Sequence, residues 1–169
     1  MENVQTLALI TTPETLLEHW QGHRRLTRKV IAAFPEKDFF SFNIGGMRPF
    51  STLVMEILDL TEHGIRGIVT GTYPEVHELP HHGNNPDLMP KTQAAFLEKW
   101  DEVTAILNEL WTQIPAERYQ EISVAFGQYE NANIDNIMYY VDNEIHHRAQ
   151  GTVYLRALGI EPPAFWDRY

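Results

Sequence analysis

Residues 134–158 read IDNIMYYVDNEIHHRAQGTVYLRAL, and this stretch decides the fold. Ile134, Met138, Val141 and Ile145 repeat at helical spacing along one face, while Tyr140, Asn143, His147 and Tyr154 occupy a second. Gly159 and then Pro162-Pro163 mark the stop. A long helix without a clean solvated face lies at the centre of a helical assembly or at a subunit interface.

Three more segments supply the rest of that assembly. The first opens with Thr11-Thr12-Pro13-Glu14, where a hydroxyl cap, a first-turn proline and a first-turn glutamate coincide. Leu16, Leu17, Trp20, Thr27, Val30, Ile31 and Phe34 follow at helical spacing, and Pro35 ends the run. His23 falls on this inward stripe and His19 near its edge. The second helix is expected from about Arg48 to Ile68, with Phe50, Leu53, Val54, Ile57, Leu58, Thr61, Ile65 and Ile68 inside and Glu56 on the margin. The third is expected from Pro90 to Ile114, closed by Pro115. Ile122, Val124 and Phe126 alternate, so residues 121–128 read as extended, yet one short strand makes no sheet. The expectation is one all-α domain, residues 1–169, built as a four-helix bundle. Its connector between the second and third helices, Val69 to Met89, is too long for a tight turn.

Composition narrows the function. At 169 residues the chain is long enough to bury a core without covalent staples. It has no cysteine, which excludes disulfides, thiolate metal sites and a protein thiol nucleophile. Thirteen Lys+Arg against 23 Asp+Glu leave a formal charge of −10, so a phosphate backbone is repelled and nucleic acid is an unfavoured partner. The densest basic cluster, Arg24-Arg25 with Arg28-Lys29, is read as the solvated side of the first helix. No apolar run approaches the roughly 20 residues that span a bilayer. The start Met1-Glu2-Asn3-Val4 lacks the basic beginning of a secretory signal. A cytoplasmic protein without membrane contact is expected.

Within the decisive stretch, Asp142-Asn143-Glu144-Ile145-His146-His147-Arg148-Ala149-Gln150 concentrates two histidines and several oxygen donors. Positions four apart share a helix face, which pairs Asn143 with His147 and Asp142 with His146. Bundles make metal sites where inward side chains of different helices converge, and Glu56 is the candidate third ligand from the second helix. The plain readings stand beside this one. His147 would serve as a hydrogen-bonded core histidine, Glu56 as a partner of Arg48 or Arg148, Asn143 as a bridge in a network, and His146 as a structural residue. His23 is the candidate proton acceptor if it reaches the same cavity, and Tyr140 and Tyr154 are candidate lining residues. His77, His81 and His82 sit in a proline-rich connector that leaves their direction open. Gly45-Gly46 precedes a helix but lacks the Lys-Ser/Thr of a phosphate loop. Phe165-Trp166-Asp167-Arg168-Tyr169 is expected to dock on the bundle or on a dimer partner.

The chain resembles the DinB/YfiT-like family. The resemblance is carried by Met47-Arg48-Pro49-Phe50 with Glu56, by residues 142–150, and by Val153-Tyr154-Leu155-Arg156-Ala157-Leu158-Gly159-Ile160-Glu161-Pro162-Pro163. It implies a compact four-helix bundle, often a homodimer, whose cavity holds a divalent metal (Zn, Ni, Fe or Mn) on three histidines. It also implies small-molecule chemistry: some relatives are transferases or isomerases using a low-molecular-weight thiol, and some are hydrolases. The alternative is a metal-free small-molecule-binding or stress-response protein. Of the three ligand positions that the resemblance marks, only His147 is histidine here. Glu56 and Asn143 hold the other two, and this set would bind zinc less well than three imidazoles. Any thiol would have to arrive as a cosubstrate.

Overall fold

The computed structural model describes residues 10–82 and 86–169; the Met1–Val4 start read above lies outside them. Four long helices form the bundle: α1 (Pro13–Ala33), α3 (Phe50–Thr70), α4 (Gln93–Trp111) and α5 (Asn133–Ala157), with a short α2 (Glu36–Ser41) after α1. Their ends follow local chemistry. The Thr12 side chain accepts the Thr15 N–H at 3.2 Å ahead of Pro13, and Thr92 accepts the Ala95 N–H at 3.1 Å ahead of α4. Gly71 closes α3 in the left-handed region, φ 78°. After α5, Gly159 takes φ 77° while Ile160 N–H reaches back to Leu155 O at 2.9 Å.

Three elements differ from the sequence reading. The chain re-enters a helix after Pro35, because α2 buries Phe39 edge-on against Phe34, Phe50 and Phe96. The extended segment is β1 (Ile122–Ala125), and it has a partner, β2 (Tyr129–Ala132), in an antiparallel hairpin. Among its described residues the connector carries single-turn helices at Val76–Glu78, Pro80–His82 and Pro86–Leu88. Among the described residues no helix is long and apolar enough to cross a membrane.

Two apolar cores stack along the bundle. One gathers Trp20, Ile65, Ile68, Leu107, Trp111, Phe126, Ile137 and Tyr140. The other gathers Val30, Ile31, Phe34, Phe50, Val54, Trp100, Tyr154 and Leu155. In α1 the residues between them are Arg24 and Thr27, and in α5 they are Glu144 and Arg148. This buried polar belt corrects the reading of Arg24 as solvated: its side chain is 1% exposed. Its guanidinium lies over the Trp100 ring at 4.1 Å, donates to Thr104 Oγ1 at 2.8 Å, and faces Glu144 Oε2 at 3.7 Å. On the other side of α1 the C-terminal tail docks through its backbone and through the Asp167 and Arg168 side chains, which meet Lys29 and His23. Arg25 donates to Arg168 O at 2.6 Å and Lys29 to Tyr169 O at 3.1 Å, while Phe165, Trp166 and Tyr169 stay exposed.

Candidate functional site

The site exists because α3 and α5 pack closely at two missing side chains. A Cβ on Gly64 would stand 2.5 Å from the Tyr140 ring, and a Cβ on Gly151 would collide with the Phe50 ring. Glycine at both positions lets the helices meet at both ends of a short span. Glu56 of α3 lies within that span, opposite Asn143 and His147 of α5.

All three side chains meet at one oxygen. Asn143 Nδ2 donates to Glu56 Oε1 at 3.0 Å, and His147 Nε2 lies 3.0 Å from the same atom. The other carboxylate oxygen, Oε2, pairs with Arg48 Nη2 at 2.6 Å. Burial acts to raise the Glu56 carboxyl, but the His147 and Asn143 hydrogen bonds, the His147 charge and Arg48 outweigh it. The carboxyl is held well below the usual range, and Glu56 is an anion at neutral pH. His147 Nδ1 lies 2.7 Å from Gln150 Oε1, which fixes the ring plane. Asn143 Oδ1 is buried and makes no hydrogen bond among the described residues. Tyr139 stands beside the cluster: its phenol is pushed up by burial first and then by the Glu56 charge, with a contact to Asn143 acting the other way.

Glu56 and Arg48 open onto a cavity of about 550 Å³ between α3, α5, the hairpin and the connector. Phe126, Tyr129, Tyr139 and Tyr140 supply aromatic wall, and Leu60 and Leu79 apolar wall. Tyr140 lines this cavity as expected. Tyr154 does not: it lies in the second core, its hydroxyl donating to Arg48 O at 3.0 Å. His81 and His82 also line the cavity. The sequence reading left the direction of His81 open and passed over its partner, Asp59, and the lining role of Arg48. Asp59 lies three residues beyond Glu56, on the same side of α3, and that register was the available signal.

His23 is placed elsewhere. Its Nδ1 lies 3.0 Å from Arg148 Nη2, and its Nε2 lies 3.2 Å from His19 Nε2 and 3.4 Å from Arg168 Nη1. Arg148 follows His147 by one residue, which turns it about 100° round α5 and away from Glu56. Burial, with the charges of Arg148, Arg168 and His19, lowers His23 to about 3, so it is neutral. His146 is exposed beside His147.

The residues that could hold a divalent cation here are His147, Glu56 and Asn143. They offer one imidazole nitrogen, one carboxylate and one amide whose oxygen has no hydrogen-bond partner among the described residues. Oxygen-rich sets lean toward harder ions such as Mn²⁺ or Fe²⁺. Among the described residues no three His, Cys, Asp or Glu converge, so such a site depends on Asn143 as the third ligand.

A family model described as the DinB family matches residues 1–168. A DinB-like protein from Bacillus subtilis is 18% identical, with a TM-score of 0.68 over 89% of this chain and 96% of that one. A DinB-like protein from Bacillus cereus is 16% identical, with a TM-score of 0.70 over 89% of this chain and 95% of that one. At those identities the likeness establishes the fold alone. No curated protein matches the chain.

Proposed function

The chain belongs to the DinB family, and from that premise we propose that it binds a small molecule in a cavity ending in a divalent-cation site made by His147, Glu56 and Asn143. The observation that carries this reading is the meeting of all three side chains at Glu56 Oε1, two of them at 3.0 Å, beside an amide oxygen with no hydrogen-bond partner among the described residues. Buried polar groups without partners are few in folded proteins, and each calls for an explanation. A cation would use that oxygen.

The surrounding residues support the same reading. Gln150 holds His147 from Nδ1, which leaves Nε2 for the Glu56 side. Arg48 pairs with Glu56 Oε2 and leaves Oε1 to the other two side chains. When bound, the cation would supply Lewis acidity to an oxygen or sulfur of the ligand. With no cysteine in the chain, a thiol taking part in a transferase reaction would enter with the ligand. A small hydrolytic reaction would draw on the same centre. His23 is turned toward Arg148 and Arg168, away from Glu56. A second copy of the chain against α5, where Met138 and Val153 are exposed, is the homodimer this reading expects.

A metal-free reading is favoured by one observation, the 2.6 Å pair between Arg48 and Glu56, which already neutralises the carboxylate. Calorimetric titration of untagged, metal-stripped protein with Mn²⁺ and Zn²⁺ separates the two. The cation reading expects one site per chain that disappears in His147→Ala with the fold intact. No binding to the folded wild-type protein leaves the metal-free cavity.

A further inference from the structure

We propose that His81, oriented by Asp59, is a ligand-contacting proton acceptor in this cavity, and that the ligand is a planar aromatic molecule with an acidic hydroxyl. Asp59 is buried on α3, its side chain 2% exposed. A single oxygen, Oδ2, accepts the His81 backbone N–H at 3.0 Å and lies 2.7 Å from ring Nδ1. A carboxylate only accepts, so Nδ1 carries the hydrogen. In the neutral ring that makes Nε2 the nitrogen with the lone pair. A loop tether is complete with the backbone bond alone; the second bond fixes the tautomer and the plane of a ring that lines the cavity.

The walls name the ligand class. Phe126, Tyr129, Tyr139 and Tyr140 present ring faces and edges suited to a planar aromatic guest. A volume of about 550 Å³ suits a small molecule. Two lining residues, Tyr140 and Asn136, are buried, and the Tyr140 hydroxyl and Asn136 Nδ2 have no hydrogen-bond partner among the described residues. Asn136 Nδ2 can only donate and the Tyr140 hydroxyl can donate, so one acceptor, as a phenolate oxygen is, would satisfy both. In the step this arrangement serves, the ligand O–H bond breaks, its proton forms an N–H bond at His81 Nε2, and the electron pair stays on the ligand oxygen. Asp59 offsets the imidazolium so formed.

This inference stands on the cavity and the Asp59–His81 pair, and it holds with or without a cation at Glu56. The test therefore uses metal-stripped protein. The probe is 4-nitrophenol, whose phenolate absorbs in the visible while the phenol does not. Wild type is expected to bind it and to raise its phenolate fraction at a pH where the free probe is mostly protonated. His81→Asn keeps an amide donor for Asp59 but lacks Nε2; it should bind about tenfold more weakly and lose the phenolate signal. Asp59→Asn should lose the phenolate signal as well. Absence of binding to wild type, or a His81→Asn protein that binds with unchanged absorbance, overturns the proposal and leaves the pair as a tether. Should either variant fail to fold, nitrogen NMR of the unmutated protein decides. Protonated Nδ1 with an Nε2 resonance that moves on adding the probe supports the role; an unmoved Nε2 overturns it.

Discussion

Replacing Glu144 with alanine strikes the polar belt that separates the two cores. The carboxylate is fully buried: Oε2 accepts Trp20 Nε1 at 3.0 Å, Oε1 accepts Thr27 Oγ1 at 2.7 Å, and Arg24 Nη1 lies 3.7 Å from Oε2. Burial lowers Arg24 to about 10, against the pull of Glu144 and then Asp101, so the guanidinium is charged at neutral pH. Alanine leaves that charge, and the Arg148 charge that Glu144 also offsets, without a counter-ion and the indole N–H without an acceptor. Thr27 can turn its single O–H to His23 O, 3.0 Å away. Removing one member of a buried pair costs about 3–5 kcal/mol. In a chain of this size about 1 kcal/mol lowers Tm by roughly 2–4 °C, so the fall should be on the order of 6–20 °C. Urea denaturation gives the free energy and calorimetry the Tm. The double variant Arg24→Met/Glu144→Leu should recover part of the loss, because the Arg24 and Glu144 charges go together while the buried Arg148 loses the Glu144 charge that offsets it. Thr61 and Thr104 tolerate it, each donating to a helix carbonyl at 2.7 Å. A single variant that loses less than about 1 kcal/mol, or a double variant worse than the single, refutes the belt as an ion-paired unit.

Two other outcomes follow from the packing and from His23. Gly67→Ala should destabilise by about 1–3 kcal/mol through overpacking, because its Cβ would collide with the Tyr73 ring. Helix propensity alone predicts the opposite sign, a gain of up to about 1 kcal/mol, so the denaturation midpoint decides between them. His23 is lowered from the ordinary 6.5 to about 3 in the folded protein. As pH falls below about 6.5 the unfolded chain takes up this proton first, so stability is lost between about 6.5 and 3 and is fully present above that window. His23→Asn should flatten that part of a stability-versus-pH curve; an unchanged slope would show that His23 does not contribute it.

The long helices were legible because each repeats apolar residues at helical spacing, with Thr12-Pro13 marking one start and Gly159 one stop. Six residues of α2 are too few for periodicity, and Pro35, read as a stop, is also where the next turn starts. The second hairpin strand, Tyr129–Ala132, is mostly exposed and shows no apolar alternation. Arg24 was misread because its basic neighbours set the local pattern, whereas its burial comes from Trp100 and Glu144, distant in sequence. Glu56, Asn143 and His147 were brought together on paper by helix register and the family resemblance, and the structure places them in contact. Asp59 and His81 are joined only by the path of the connector, which residue spacing does not specify.

The most direct measurement is an anomalous-diffraction map of crystals soaked in Mn²⁺. The account predicts one peak per chain within about 2.2 Å of His147 Nε2, a Glu56 oxygen and Asn143 Oδ1, absent from His147→Ala crystals grown in the same way. A map with no peak between those three side chains, or one whose peak persists without the imidazole, would contradict it.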